Sequence, residues 1–296
     1  MRYRTASLFL LVGAIWGSTF PAVRAGVEVV PPVLFAALRF DATAILILGY
    51  AAVRGYRIRP RRNEWVGIVA GGVLLIAVHH ALLFAGQQHV TSAVAAVVVA
   101  TVPILTAGLS RLLLPTTRLG VVGTIGLVLG FLGTAIVANP DLEGLYTAES
   151  LGVVLVFGAA GAFALGAVVT QRTRTALPVA SLQGWMMIAG APVLHAASVS
   201  VGEPQAIEWT PAVMLAFAYL VPVAGGIGYL LYFDLLDRLG SVEINLVSYL
   251  LPVFAALVGW LALDEGLEPT TVVGFAVVAV GFTLIKRHAL VRLLDV

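Results

Sequence analysis

The chain has 296 residues, 60% of them hydrophobic and 11% charged, and its mean hydropathy of +1.02 leaves too little polar surface to cover a water-soluble globule of this size. Cysteine is absent, which excludes disulfides, thiolate metal sites and cysteine nucleophiles. The net charge of +2 is spread over loop ends instead of forming one basic face, which argues against nucleic acid as a partner.

Apolar runs long enough to cross a hydrocarbon layer of roughly 30 Å as helices recur along the chain. Bounded by charge, Pro or Gly, they predict helices near 7–26, 33–53, 65–87, 92–112 and 119–138, then near 150–171, 180–201, 210–236, 241–263 and 270–286. The first run follows Arg2 and Arg4 but lacks a small-residue cleavage site before a polar mature segment, so it reads as a retained helix. The acidic segment Asp141-Leu142-Glu143-Gly144 reads as a linker between halves, 1–143 and 144–296. With the amino terminus inside, 15 of the 17 Lys and Arg residues collect on the cytoplasmic side, Arg24 stands outside and Arg39 lies within the second helix. The positive-inside rule therefore predicts an integral protein of the cell membrane with both termini cytoplasmic.

An internal repeat accompanies this pattern. Gly13, Ala14 and Arg24 recur as Gly161, Ala162 and Arg172 at a shift of 148 residues. Phe84, Ser92, Pro103, Ala107, Leu112 and Leu114 recur as Phe233, Ser241, Pro252, Ala256, Leu261 and Leu263 at 149. Gly123 and Gly130 fall on Gly274 and Gly281 after a slip of two more. Five helices per half place the halves in opposite orientations, so the predicted fold is an all-α membrane protein of ten transmembrane helices in two inverted five-helix repeats around a central cavity.

The stretches Gly13-Ala14-Ile15-Trp16-Gly17-Ser18-Thr19-Phe20-Pro21 and Ala37-Leu38-Arg39-Phe40 resemble the opening of EamA-type members of the drug/metabolite transporter superfamily. In the second half, Leu239-Gly240-Ser241-Val242-Glu243, Tyr249-Leu250-Leu251-Pro252-Val253-Phe254-Ala255-Ala256 and Leu263-Asp264-Glu265-Gly266 resemble that family's last two helices. The resemblance spans about residues 5–288. It implies ten helices, two inverted repeats and movement of small metabolites without ATP hydrolysis, and it names no substrate. Where the family often carries a Glu after its fourth helix, this chain has Leu114-Pro115-Thr116.

Several residues within the apolar runs bear chemistry. His79 and His80 lie 14 residues past Trp65, about 21 Å into the third helix at 1.5 Å per residue. They read as a proton relay or as structural histidines, with one ring facing the interior and the other a neighbouring helix. Arg39 and Asp41 fall on nearly opposite helix faces and each needs a partner; Arg39 either holds a substrate carboxylate or reaches outward to Glu28 or headgroups. Glu243 follows a predicted Ser241 cap in the first turn of the ninth helix, stabilised by the helix dipole or binding a proton. Pro103 and Pro252, read as mid-helix, free the carbonyls one turn earlier. A substrate site is predicted from Trp16, Ser18, Thr19, His80, Tyr229, Tyr232, Asn245 and Tyr249 around the bends at Pro103 and Pro252, with His79, His80 and Glu243 as proton-coupling candidates. Gln183 and Trp185 are reserve candidates.

The function predicted is secondary active transport of small organic metabolites such as amino acids or related solutes, by alternating access, with proton or sodium coupling and no cofactor or metal. The expected partners are that solute and the lipid bilayer, and the expected assembly is a monomer or homodimer. A membrane-embedded enzyme is the alternative, yet HExxH, GxSxG, CxxC and DxD patterns are missing. A passive channel would favour rings of like residues around an oligomer axis.

Overall fold

The computed structural model describes residues 2–113, 121–138, 148–173, 175–264, 266 and 268–294, all helix or turn with no strand among them. The first membrane-length helix is α1 (Arg2–Gly17) continued by α2 (Thr19–Val27). Pro21 offers no N–H to the Gly17 carbonyl, and the Ser18 and Thr19 hydroxyls bond back to the carbonyls of Ala14 and Trp16; back-bonding of this kind and proline both bend helices. After α3 (Pro32–Val53), α4 (Trp65–Gly71) passes through a π-helical turn over Gly72–Val78 into α5 (His79–Gln87). Then come α6 (Ser92–Val99), α7 (Val102–Leu113), α8 (Val121–Ala138), α9 (Ala148–Thr173) and α10 (Val179–Ser200). A second π-helical turn, Leu220–Gly228, joins α11 (Pro211–Tyr219) to α12 (Tyr229–Leu239). The chain closes with the short α13 (Ser241–Ile244), a 3-10 turn over Asn245–Tyr249, α14 (Leu251–Leu263) and α15 (Pro269–Leu294).

Among the described residues, seven helical segments are long and apolar enough to cross a membrane. The exterior of the bundle is apolar: Ile125, Leu132, Leu257, Trp260, Leu261, Val272 and Val280 are each about half exposed or more, while Arg39, His79, His80, Gln87, Gln183 and Asn245 are buried. Polar groups inside and large aliphatics outside invert the arrangement that water imposes, and this is an integral membrane protein.

The irregularities recur at the repeat spacing. The π turns start at Gly72 and Leu220, and the interruption at Ala100–Thr101 lies 149 residues before the one at Tyr249–Leu250. Pro103 and Pro252 therefore do not kink a continuous helix. Each sits in the first turn of a new one, where a missing N–H costs nothing. The packed pairs recur as well: the equivalent helices α3 and α10 run along each other, as do α8 and α15, while α4 on α9 is matched by α2 on α11, α6 on α14 by α7 on α13, and α7 on α9 by α1 on α14.

Small residues set these crossings, as in membrane bundles generally. A Cβ on Gly190 would stand 2.5 Å from the Gly72 carbonyl oxygen, and one on Gly72 would stand 2.6 Å from that of Met186. Gly190→Val forces α10 away from the π turn and is expected to cost about 1–3 kcal/mol, read as a lower melting temperature of the purified protein. Gly161→Ala, with no neighbouring atom within 4 Å of the added methyl, should leave it unchanged or raise it. Equal effects of the two would refute the close-packing argument.

Candidate functional site

Between the halves lies a narrow cavity lined by Trp16, Thr19, Phe20 and Val23, by Arg39, by His79, His80, Leu83 and Phe84, by Val99 and Val102, by Phe163, and by Tyr229, Ser248 and Leu251. Its volume is about 50 Å³, against roughly 10–15 Å³ for a single water by the same measure. It therefore holds a few waters, and a metabolite enters only if the walls part. Three pairs of lining positions are 149 residues apart: His80 with Tyr229, Val99 with Ser248, and Val102 with Leu251. The cavity thus takes matching contributions from both repeats. The carbonyls of Val99 and Ser248 are those that lose their helical donor to Pro103 and Pro252, so the two breaks face the cavity even though the prolines do not.

Both histidines line it, which differs from the expectation of one ring facing inward. The cavity wraps far enough around α5 to meet positions 100° apart. His79 Nδ1 is 2.9 Å from the Ala159 carbonyl on α9, and His80 Nδ1 is 3.0 Å from Ile76 within the π turn. The rings meet edge to face at 4.5 Å. His80 Nε2 lies 3.4 Å from the Tyr229 hydroxyl. One wall is aromatic: Trp16 stands 5.0 Å from Tyr229, 4.8 Å from Tyr232 and 6.0 Å from Phe163, centroid to centroid.

The remaining predicted residues lie behind the lining. Tyr232 donates to Asn245 Oδ1 at 2.9 Å, and Asn245 Nδ2 donates to Thr106 Oγ1 at 2.9 Å, a buried bridge joining α12 to α7. Ser18 bonds its own helix. Tyr249 packs beside Ala100, Ile104 and Val278, and Pro252 faces Thr271 and Phe275 of α15. The predicted Ser241 cap is replaced: both its N–H and its hydroxyl donate to Gln171 of α9. The Glu243 side chain, Leu114-Pro115-Thr116 and the 141–144 linker lie outside the described residues. Of the reserve candidates, Gln183 donates to the Gly225 carbonyl in the second π turn at 2.7 Å, and Trp185 donates to Ile58 at 2.7 Å.

Arg39 does not reach outward. It is 3% exposed and lines the cavity, while Glu28 pairs with Arg24 at 2.8 Å. Asp41 finds its partner in His195 of α10, Nε2 to Oδ2 at 2.7 Å. The sequence reading overlooked that histidine, whose only local signal is a polar residue inside an apolar run. Two ties between the halves were likewise missed. At one end of the bundle the buried Glu64 accepts from Arg57 at 2.6 and 2.9 Å, from the Arg61 N–H at 2.6 Å and from Thr175 at 3.1 Å. At the other, Glu203 accepts from the N–H groups of Val33 and Leu34, both at 2.9 Å.

Comparison with known proteins places this geometry. The EamA-like transporter family matches twice, over residues 4–139 and 150–287. The "Uncharacterized inner membrane transporter YedA" of Escherichia coli (strain K12) is 33% identical over 267 residues, covering 88% of this chain and 84% of that one. The "Uncharacterized transporter YoaV" of Bacillus subtilis (strain 168) is 22% identical over 281 residues, covering 93% and 96%. A solved crystal structure superimposes with a TM-score of 0.70 at 21% identity, covering 95% of this chain and 98% of its own, which supports the fold. With the family's pattern in both halves and a relative at 33% identity over most of its length, the chain belongs to the EamA-like transporter family.

Proposed function

We propose that the protein is a secondary active transporter of small organic metabolites such as amino acids or related solutes, working by alternating access without ATP hydrolysis. It has ten transmembrane helices in two inverted five-helix halves, 1–143 and 144–296. The carrying observation is the cavity lined at positions 149 residues apart from both repeats, since rocking one half against the other around such a site opens it to each side in turn. The inversion is supported by the run of α1–α2 from the end that holds Glu64 toward the end that holds Glu203, with α9 running back. Among the described side chains, Arg54, Arg57, Arg59, Arg61, Arg62, Arg172 and Arg238 crowd the first end and Arg24 stands at the other, which supports cytoplasmic termini. No lining side chains form a nucleophile with an oriented base, so the enzyme reading lacks a site among the described residues.

In this mechanism Trp16, Phe163 and Tyr229 pack the apolar part of the solute, and His79 and His80 take up and release a proton at Nε2, whose Nδ1 partners fix the rings. The test is uptake of a radiolabelled metabolite panel into proteoliposomes under an imposed pH gradient. The expected result is gradient-driven accumulation of at least one solute, reduced at least tenfold by His80→Ala while exchange without a gradient persists. No movement above protein-free liposomes for any solute would overturn the transporter reading. A normal pH response in both His79→Ala and His80→Ala would move coupling to Glu243, Asp41 or a sodium site.

A further inference from the structure

The cavity holds a guanidinium, that of Arg39, with no carboxylate opposite it among the described residues. Arg39 lies 7 residues into α3 and is 3% exposed. Among the described residues no carboxylate pairs with its guanidinium, and its buried Nε has no hydrogen-bond partner. The rings of Phe40 and Phe84 approach its central carbon at 4.9 and 5.8 Å. Aromatic faces attract a cation, yet they leave the in-plane N–H donors unused. A guanidinium held between apolar rings inside a membrane protein is expensive unless an anion completes it.

We infer that Arg39 is the anchor for the substrate, and that the substrate is an organic monocarboxylate with an apolar or aromatic body. The inference rests on the transporter reading and deepens it. A carboxylate matches the planar fork of the guanidinium with two parallel hydrogen bonds. The body then lies against Trp16 and Phe163, which meet edge to face across the same cavity. Among the described residues the lining offers no carboxylate to a second, cationic end. A zwitterion would carry an ammonium into an already positive site, so an organic acid is favoured over the amino acid of the same skeleton. Arg39 and the solute also neutralise each other, which removes a net charge from the midplane as the halves exchange.

The experiment measures binding of 3-phenylpropionate, 3-phenylpropanamide and L-phenylalanine to the purified full-length protein by ligand-dependent thermal stabilisation. The acid is expected to bind at least tenfold more tightly than its amide and more tightly than the amino acid. Arg39→Gln should erase the preference for acid over amide, and Arg39→Lys, which keeps the charge without the fork, should retain part of it. Each variant's unliganded melting curve reports folding, and a misfolded Arg39→Gln leaves the Lys variant and the wild-type acid–amide ratio to decide. An acid that binds no better than its amide, or an amino acid that binds as tightly as the acid, overturns the inference. Such outcomes leave the transporter reading intact if proteoliposomes still move other solutes; liposomes inert to every solute would sink that reading instead.

Discussion

Glu203→Ala is expected to open one end of the bundle. Helix α3 starts at Pro31-Pro32, and neither proline offers a side-chain acceptor, so the first free N–H groups, Val33 and Leu34, have no local cap. Glu203, in the turn after α10, supplies both carboxylate oxygens across the chain repeats. Hydrogen bonds to a charged group are worth about 1.5–3 kcal/mol each in protected settings; Glu203 is partly exposed, and about 1.4 kcal/mol for the pair, a tenfold shift, is a fair discount. The chain has no cysteine, so Val30→Cys, at a buried position beside this cap, is a clean reporter. Its labelling by a membrane-impermeant maleimide should speed up about tenfold in Glu203→Ala. An unchanged rate would show that the contact does not hold this end shut.

Glu64→Ala should do the reverse at the opposite end and cost more stability. The carboxylate is buried, accepts from Arg57, Arg61 and Thr175, and so ties the turn before α4 to the turn before α10. Removing one member of a fully buried pair costs about 3–5 kcal/mol, but the Arg57 side chain is 32% exposed and rehydrates. The loss is therefore well below that of a fully buried pair and is read as a lowered melting temperature. The coupled readout is accessibility: Leu177→Cys, beside Thr175 and buried, should label faster, and Val30→Cys should label more slowly. Alternating access requires the two ends to move oppositely. If both sites label faster together, the bundle has merely loosened, and the latch reading fails.

Much of this molecule is legible in its sequence because lipid imposes simple rules. Twenty apolar residues in a row must be helical, since no water is present to satisfy the backbone. Arginines at the ends of those runs mark one side, and matching glycines and prolines at a shift of 148 or 149 residues mark the repeat. His79, His80, Tyr229, Trp16 and Thr19 could be found as polar or aromatic residues within apolar runs, and all five line the cavity. The prolines at 103 and 252 were read as mid-helix, whereas each stands in the first turn of a new helix. Helix breaks depend on backbone bonds that a residue list does not contain.

Facing is what the sequence left open. A soluble helix announces its buried side by an apolar stripe, whereas a membrane helix is apolar all round and announces none. Nothing local distinguishes Arg39, turned into the cavity, from Asp41, turned to His195 across 154 residues, or Asn245, which bridges Tyr232 to Thr106 instead of meeting the cavity. The same holds for Glu203, whose use is set by two N–H groups 170 and 169 residues away. Composition determined the solvent, the apolar runs marked membrane helices, spacing marked the repeat, and the quoted motifs carried the resemblance to the family. Tertiary packing alone decided which polar side chains are satisfied by one another, and that the buried Arg39 has no carboxylate partner among the described residues, because that depends on distances between residues far apart in the chain.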